Sequence, residues 1–509
     1  MFKIKKLNIS ITTGGFRVML NHNDAEILGL KVGDRVKLSY KDKKSTKSKK
    51  KELICDLGIL NGHSKSRNIK LKDSEIGVYL DVFEKLGLTE NANITLTPAP
   101  KPISLEYVRK KFNGEIKLKE THFREIINDI IVNKYTPIET TFFVLACAAH
   151  KLDDNEVIGL TKAMVDGGKH LTFKTKTGVI VDKHCIGGIP GNRTSMVVIP
   201  ILAAAGLTIP KTSSRSITSP AGTADTMEVL TNVNISLSQM HKIVSDVGGC
   251  IAWGGSLDLS PADDAIIHVE HPLEIDCEGQ MIASIMSKKK SAGSSHVLLD
   301  IPMGETAKIK TKEEAVRLKK RFVKVGKAIG VEVKVIITDG SEPIGKGIGP
   351  YLEALDVLKV LENKEDQPYR LRNKSLMMAG HLLEMGGVAS KGQGLEYANE
   401  ILESGLAMRK FDEIIDAQGR KNKMSPAKYS CEIFAEKSGT VKKINNKGIS
   451  GITFILGCPN DKPSGLNIMK KCGEKVKKGE VIVELFSNSK QKLAYAKAHI
   501  EEDSPYTIK

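Results

Sequence analysis

The N-terminal part of the chain alternates apolar and polar positions and contains an internal repeat. A Leu-Gly-Leu motif at 28–30 is followed by a turn and an alternating stretch at 36–39, and the same order recurs at 86–88 and 94–97. Alternation with a period of two is the pattern of strands that bury one face. Two similar halves of this kind predict a double-psi-like β-barrel over residues 1–97.

Beyond this region the pattern becomes helical and then alternates between strands and helices. Ile126, Ile127, Ile130 and Ile131 would share one face of a helix. Further on, apolar strand-like runs are separated by glycines, prolines and helical segments, which is typical of α/β proteins. The sequence therefore predicts a multidomain α/β and α+β protein with a linker at 98–103, a helical domain at 104–168 into which 262–290 packs, a central α/β domain with a mixed sheet at 169–424, and a C-terminal α+β domain at 425–509.

Composition narrows the class of protein. The 509 residues are 40% apolar and 27% charged, as in globular chains. Part of the net charge of +17 comes from a lysine run between 41 and 51, which we interpret as a solvated loop because no aromatic side chains are interleaved with it. The cysteines are scattered without a CxxC motif, and neither an apolar leader nor a membrane-length apolar run is evident. We therefore expect a cytoplasmic protein without a membrane partner.

A glycine-rich stretch at 182–195 is the first candidate for ligand binding. It links an apolar strand to an apolar helix and contains Lys183, Arg193, Thr194 and Ser195. Glycines allow backbone N–H groups to approach a ligand, and the start of the helix adds partial positive charge. The spacing matches neither a Walker loop nor a dinucleotide fingerprint. The stretch predicts a phosphate-binding loop, and a structural strand–helix turn is the alternative.

A second candidate lies at 212–228, where hydroxyl side chains cluster around Arg215 and Gly222. Such a stretch is a poor interior for a helix or a strand. It suits an oxyanion-binding loop, because short side chains offer donors and lose little conformational entropy when they are ordered. A solvated serine/threonine loop is the alternative interpretation.

Together these two clusters resemble motifs of the thymidine phosphorylase family. Lys-His-Cys-Ile-Gly-Gly at 183–188 is similar to the Lys-His-Ser-Thr-Gly-Gly motif of that family. The likeness extends from about residue 104 to about residue 500. Its further pieces lie at 213–216, 222–228, 284–289 and 342–349.

The departures from the nucleoside-cleaving members of the family are informative. The loop with Pro190 is one residue longer, and Val269 stands where those enzymes hold the pyrimidine with an arginine. A β-rich domain is added in front. These features and the stretch 214–223 are similar to the archaeal AMP phosphorylase branch of the family. Cys185 stands where members usually have a serine, and a thiol is only a weak hydrogen-bond donor.

The resemblance implies the reaction AMP + phosphate ⇌ adenine + ribose 1,5-bisphosphate, in AMP degradation and nucleotide salvage. Two anionic groups then explain the two donor-rich loops, and departure of the base calls for a general acid. The main alternative is a thymidine or pyrimidine nucleoside phosphorylase. A phosphoribosyltransferase would require acidic magnesium ligands near the glycine loop, and the sequence has none between 183 and 195. A basic nucleic-acid-binding protein would want stacking aromatics, and aromatic residues are only 5% of the chain.

Roles for single residues also follow from the resemblance. Asp276 would be the general acid. The AMP-binding positions implied are Gly188, Ser214, Arg215, Ser216, Ile217, Thr218, Ser219, Thr223, Ser284 and Lys308. The phosphate-binding positions implied are Lys183, His184, Ser195, Ser213 and Thr223, with Lys288 as a further candidate. Whether His184 or Arg215 holds the attacking phosphate stays open.

The resemblance implies no cofactor, and inorganic phosphate would be a co-substrate. His268 and His271 form a pair without a third ligand, so we expect no metal site. The partners expected are AMP, phosphate and further copies of the chain, in a homodimer or higher homo-oligomer formed through the helical and N-terminal domains. No nucleic-acid partner is expected, and the preference among AMP, CMP and UMP stays open.

Overall fold

The computed structural model divides the chain into two compact units. The first comprises Met1–Gly168 and Ser260–Ser284, and the second comprises Lys169–Leu259 and Ile285–Lys509. In the described part of the chain, no helix combines the length and the apolar character needed to cross a membrane. The structure describes residues 1–10, 15–41, 50–60, 70–90, 92–175, 177–216, 219–273, 275 and 277–509.

Six strands and two short helices build the N-terminal part of the first unit. Their bounds are β1 (Phe2–Lys6), β2 (Arg17–Asn21), α1 (His22–Ile27), β3 (Arg35–Tyr40), β4 (Lys51–Leu60), β5 (Glu75–Val78), α2 (Leu80–Leu86) and β6 (Asn93–Pro98). The strands close into a barrel in the order β1, β5, β2, β4, β3, β6. The barrel expected from the repeat is thus confirmed.

The two halves of the barrel are interleaved. β1 of the first half pairs in parallel with β5 of the second, and β4 of the second pairs in parallel with β2 of the first. The equivalent strands β2 and β5 pair with each other, as do β3 and β6. The repeated glycine has a conformational reason, because Gly29 and Gly87 follow α1 and α2 with φ of 65° and 60°, a region that suits glycine. The pairing is therefore pseudo-twofold.

A bundle of helices follows the barrel within the first unit. Its helices are α3 (Leu105–Phe112), α4 (Glu120–Ile131), α5 (Pro137–Ala149) and α6 (Asp154–Asp166). The isoleucine face of α4 is buried at Ile126, Ile127 and Ile130, as its periodicity predicts. α5 begins at a capping box in which the Thr136 hydroxyl and the Glu139 carboxylate bond to each other's backbone N–H.

The second unit begins with alternating strands and helices. The elements between residues 181 and 418 are β7 (Val181–Cys185), α7 (Thr194–Ala204), β8 (Ile209–Ser213), α8 (Thr223–Met227), α9 (Leu237–Val247), β9 (Gly249–Trp253), α10 (Pro261–Leu273), α11 (Glu278–Ser291), β10 (His296–Met303), α12 (Lys312–Ala328), β11 (Glu332–Asp339), β12 (Gly347–Ile348), α13 (Pro350–Leu361), α14 (Tyr369–Met385), α15 (Gly394–Glu403) and α16 (Leu406–Gln418). Of these, α10 lies in the first unit, where it packs on α4 and α5, and α11 begins there.

Strand pairing in this region is parallel. β10 lies between β11 and β7, and β8 pairs with β9. A parallel bridge from Ile180 to Thr208 links the strand ends before β7 and β8. We expected a mixed sheet here, whereas antiparallel pairing among the described strands enters only where β12 pairs with a strand of the C-terminal region. Parallel neighbours bring the carboxyl ends of β7 and β8 to one edge, which is where ligands bind in such sheets.

The C-terminal region is an α+β assembly of short strands and two helices. Its elements are β13 (Tyr429–Phe434), β14 (Gly439–Ile444), α17 (Asn446–Leu456), β15 (Gly465–Ile468), β16 (Lys475–Val476), β17 (Val481–Ser487), α18 (Lys490–Glu502) and β18 (Tyr506–Ile508). β12 pairs with β15, so this region is joined by backbone hydrogen bonds to the segment that follows β11. The predicted α/β and α+β fold class is confirmed, and the predicted domain bounds stay predictions.

Candidate active site

Two loops leave the carboxyl ends of β7 and β8. The first, residues 186–193, runs from β7 into α7, and the second, residues 214–222, runs from β8 into α8. In the first loop, Gly188 has φ of 88° and a Cβ there would lie 3.4 Å from Cβ of Lys308. A larger residue at 188 would be strained by its backbone conformation and crowded by its neighbour. The structure thus brings together Gly188 and Lys308, two of the residues assigned to AMP.

Lys183 is a buried cation whose partners are hydroxyl groups. Its Nζ lies 2.5 Å from Oγ1 of Thr194 and 3.4 Å from Oγ of Ser195, both in the first turn of α7. Burial lowers the pKa of Lys183, and no carboxylate of the described residues forms an ion pair with it. An ammonium group, a hydroxyl and a helix start converge here, an arrangement suited to an anion such as phosphate.

His184 and Cys185 extend this site along β7. Burial and then four lysines hold the pKa of His184 well below its ordinary value, so the imidazole is neutral at pH 7. Those lysines are Lys183, Lys211, Lys288 and Lys289. Burial raises the pKa of Cys185 to about 11, which keeps it a thiol. Its sulfur accepts a hydrogen bond of 3.1 Å from Nδ2 of Asn192.

Arg193 joins the two loops. Its Nη1 donates to Oγ1 of Thr223 at 3.0 Å and its Nη2 donates to the carbonyl oxygen of Ala221 at 2.8 Å. Its Nε forms a buried ion pair with Glu353 on α13. The sequence suggested Arg193 as a phosphate donor, whereas the structure uses its guanidinium to tie the second loop to the start of α7.

The second loop is closed on itself. The carboxylate of Asp225 accepts from the backbone N–H groups of Ser216 at 2.6 Å and Gly222 at 2.9 Å. The hydroxyl of Ser216 donates to the carbonyl of Ser219, whose own hydroxyl donates to the carbonyl of Ala221. These bonds tie Ser216 to residues 219–222 and to the start of α8.

Arg215 is bound by acidic side chains within the same loop region. Its two Nη atoms lie 2.8 and 3.0 Å from the Glu228 carboxylate, and Nη1 lies 3.1 Å from Oδ1 of Asp225. The guanidinium also stacks on Trp253, 4.9 Å from the ring centre. The hydrogen bond from Arg215 lowers the pKa of Glu228 to about 2, and Lys462 assists. Contact of Arg215 with a substrate phosphate stays a prediction, and the structure gives it a second role as the anchor of this loop.

The remaining predicted residues fall into three groups. Ser195 lies beside Lys183, Ser213 ends β8 and Thr223 begins α8. Ser284 lies on α11 in the first unit, and Lys288 lies on the same helix in the second unit. Asp276, Ile217, Thr218 and the side chain of His271 lie outside the described residues.

Sequence reasoning missed a buried basic cluster next to His184. Lys211 on β8 is buried, and burial followed by the charge of Lys289 lowers its pKa well below the ordinary value. Lys289 forms a 2.7 Å ion pair with Asp182, and both are buried. The available signal was a lysine inside the short strand Ile209–Ser213, because a lysine is costly to bury unless its charge is used or paired.

Family models match three successive parts of the chain. The helical bundle domain of the glycosyl transferase family matches 105–168, its a/b domain matches 177–408, and the C-terminal domain of pyrimidine nucleoside phosphorylase matches 440–507. AMP phosphorylase 1 from Archaeoglobus fulgidus is 39% identical over 99% of this chain and 97% of its own. The chain belongs to the thymidine/pyrimidine nucleoside phosphorylase family.

Other phosphorylase relatives are named for thymidine. Putative thymidine phosphorylase 1 from Acidovorax sp. (strain JS42) is 45% identical over 82% of this chain and 81% of its own. A putative thymidine phosphorylase from Polaromonas sp. (strain JS666) is 39% identical over 97% of this chain and 94% of its own. Among solved structures, anthranilate phosphoribosyltransferase from Thermus thermophilus matches 61% of this phosphorylase chain and 98% of its own with a TM-score of 0.52 and 18% identity. That likeness concerns the fold alone.

Proposed function

We propose that this family member is a nucleoside 5′-monophosphate phosphorylase that converts AMP and phosphate to adenine and ribose 1,5-bisphosphate. The observation that carries the proposal is the pair of donor-rich loops at the ends of β7 and β8, joined by Arg193. The reaction brings together two phosphate groups, one attacking and one on the substrate. The attacking phosphate would bind beside the first loop, and the 5′-phosphate would bind the second loop.

The attacking phosphate would bind at Lys183 and Ser195. A buried ammonium without a carboxylate partner among the described residues gains most from an incoming anion, because charge-assisted hydrogen bonds are strong where water is excluded. Ser213 and Thr223 would add hydroxyl donors, and neutral His184 would orient phosphate or ribose.

The 5′-phosphate and ribose of AMP would bind the second loop. The residues proposed for AMP are Gly188 of the first loop, Lys308, Thr223 at the start of α8, and Ser214, Arg215, Ser216, Ile217, Thr218 and Ser219 of the second loop, with Ser284 and Lys288 toward the base. Arg215 would serve chiefly by holding the loop, since its Nη atoms already face Glu228 and Asp225.

Bond cleavage would follow a single displacement. A phosphate oxygen forms a bond to C1′ as the bond from C1′ to the base nitrogen breaks, and the electron pair leaves with the base. Asp276 would donate the proton that neutralises the departing base, acting as general acid. No cofactor takes part in this proposal.

The choice of AMP over thymidine rests on Val269. This residue stands where the nucleoside enzymes hold the pyrimidine with an arginine, and it is buried on α10. AMP phosphorylase 1 and the Polaromonas relative named for thymidine are both 39% identical to this chain, so overall likeness does not choose between the two substrates. The N-terminal barrel does not decide the matter, because the Polaromonas relative named for thymidine covers 97% of the chain. We also propose a homo-oligomer formed through the helical bundle and the barrel.

The test is phosphate-dependent release of free base from AMP, CMP, UMP, adenosine and thymidine by the full-length protein. Adenine released from AMP only when phosphate is present, together with ribose 1,5-bisphosphate, is the expected result. Thymine released from thymidine, with AMP unchanged, would replace this proposal with thymidine phosphorylase.

A further inference from the structure

A lysine of the C-terminal region is hydrogen-bonded to a segment that packs against the first loop. Lys471 is located between β15 and β16, and its Nζ donates to the carbonyl oxygens of Pro343 at 2.6 Å and Gly345 at 2.7 Å. Burial lowers the pKa of Lys471 to about 7. Desolvating a lysine to bond two backbone carbonyl oxygens costs free energy, so the place of the segment around Pro343 and Gly345 calls for an explanation.

Four further contacts fix segment 342–347. The Glu342 carboxylate accepts from the backbone N–H of Cys472 at 2.8 Å and pairs with Arg370. The Asp356 carboxylate accepts from the backbone N–H groups of Lys346 at 2.7 Å and Gly347 at 2.8 Å. The segment therefore has little freedom to move while these contacts last.

Its other side supports the glycine-rich loop. The backbone N–H of Ile344 donates to the carbonyl of Pro190 at 3.1 Å. A Cβ on Gly191 would lie 2.8 Å from the backbone nitrogen of Gly345, so the two backbones are in direct contact. Three residues after Gly191 comes Thr194, which holds the Lys183 ammonium. A displacement of segment 342–347 would therefore pass to the phosphate donors.

We infer that Lys471 is a positioning residue for phosphate binding: it fixes segment 342–347, which in turn sets the place of Gly191 and the start of α7. Lys471 does not touch the proposed phosphate donors themselves. The inference rests on the proposed function of the first loop and adds to it the C-terminal region as the part of the chain that holds that loop in place.

Binding of inorganic phosphate to the full-length protein, measured by calorimetry, is the primary test. Lys471→Met keeps the side chain out to Cε and removes the ammonium group with both hydrogen bonds. We expect phosphate affinity to fall roughly 10-fold, since small displacements of binding groups are costly. In steady-state kinetics the KM for phosphate should rise by a similar factor, with the KM for the nucleotide changed less than about twofold. A general loss of stability would not raise the KM for phosphate while leaving the KM for the nucleotide nearly unchanged.

The adjacent Lys470 provides a matched control, because its Nζ pairs with Glu480 at 2.5 Å and does not contact segment 342–347. Lys470→Met should leave phosphate binding within about twofold of wild type. Gly345→Ala tests the same path from the other side, because its Cβ would lie 2.7 Å from Oδ2 of Asp356 and 3.1 Å from the carbonyl of Gly191. It should reproduce the phosphate effect even if Lys471→Met does not fold.

The outcomes separate this inference from the proposed function. A wild-type protein that binds no phosphate contradicts the proposed function. A wild type that binds phosphate, with normal affinity in Lys471→Met, overturns the inference alone. If Lys471→Met does not fold, normal affinity in Gly345→Ala overturns it as well.

Discussion

The Lys183 ammonium and the Thr194 hydroxyl are 2.5 Å apart, and both residues are buried. Lys183 lies in the middle of β7 and Thr194 begins α7, with the glycine-rich loop between them. The contact places the ammonium group at the start of a helix, away from solvent. An anion bound here would be stabilised both by the ammonium group and by the helix start.

Lys183→Met should remove most of the phosphorolysis activity. Loss of a buried charge-assisted contact is expected to lower kcat/KM for phosphate by at least about 100-fold. The melting temperature at pH 7 should not fall, because burial already opposes the charged form of Lys183. Phosphorolysis rates measured against phosphate concentration, with thermal unfolding alongside, check both expectations.

A control for this variant is Lys169→Met, which removes a lysine paired with Asp258 at 3.0 Å on an exposed part of the chain. It should retain wild-type kinetics. Ordinary phosphate kinetics in Lys183→Met would exclude Lys183 from the phosphate site.

Asp276→Asn tests the general acid implied by the family resemblance. The amide keeps the size of the side chain and cannot supply the proton, so kcat should fall by roughly 10²–10⁴-fold while nucleotide binding persists. Single-turnover release of base, measured at saturating nucleotide and phosphate, isolates this step. Asp264→Asn on α10 is the control, and comparable rates in both variants would remove Asp276 from the mechanism.

Arg215→Ala distinguishes two roles for Arg215, as an anchor of the second loop or as a ligand of the 5′-phosphate. If Arg215 holds the loop through Glu228 and Asp225, kcat/KM for AMP and for adenosine should fall together. A ligand of the 5′-phosphate would instead lower the AMP value alone, by about 10-fold or more. We expect the joint fall, measured as the ratio of the two constants in wild type and variant.

Arg420→Ala is the control for this pair of measurements, since Arg420 also pairs with two carboxylates, those of Asp412 and Asp416, on an exposed surface. It should change neither constant. A selective loss of AMP activity in Arg215→Ala would assign direct phosphate contact to Arg215.

The pH dependence of stability should carry the signature of Lys471. Its folded pKa of about 7 lies below the ordinary 10.5, so above pH 7 the unfolded chain binds a proton that the folded chain has released. The free energy of unfolding of wild type should therefore rise relative to Lys471→Met by up to about 1.4 kcal/mol per pH unit between pH 7 and pH 10. Urea denaturation of both proteins at several pH values measures the difference, and a constant difference would contradict a lowered pKa.

Local patterns in the sequence were sufficient to predict the barrel, the helical bundle and the positions of the two loops. The Leu-Gly-Leu repeat predicts the barrel because each copy is followed by a turn and an alternating strand, which gives two similar halves. In the structure, Gly29 and Gly87 follow their helices with positive φ. The buried face at Ile126 and Ile130 follows in the same way from a helical period.

Contacts between distant parts of the chain were not predictable in this way. Arg193 was expected to face phosphate, and its pairing with Glu353 depends on how α7 and α13 pack. Lys471 reaches Pro343 across a sequence separation of 128 residues. No local pattern encodes such pairings, because each is decided by tertiary packing.

The interleaved barrel has a consequence for how such a domain could arise. Each half lends its first strand to the other, since β1 pairs with β5 and β4 pairs with β2. A single half would therefore leave one strand and one strand edge unmatched, whereas two identical copies would satisfy each other by exchange. The pairing is what a strand-swapped dimer of a half-length ancestor would keep after its two genes fused into one.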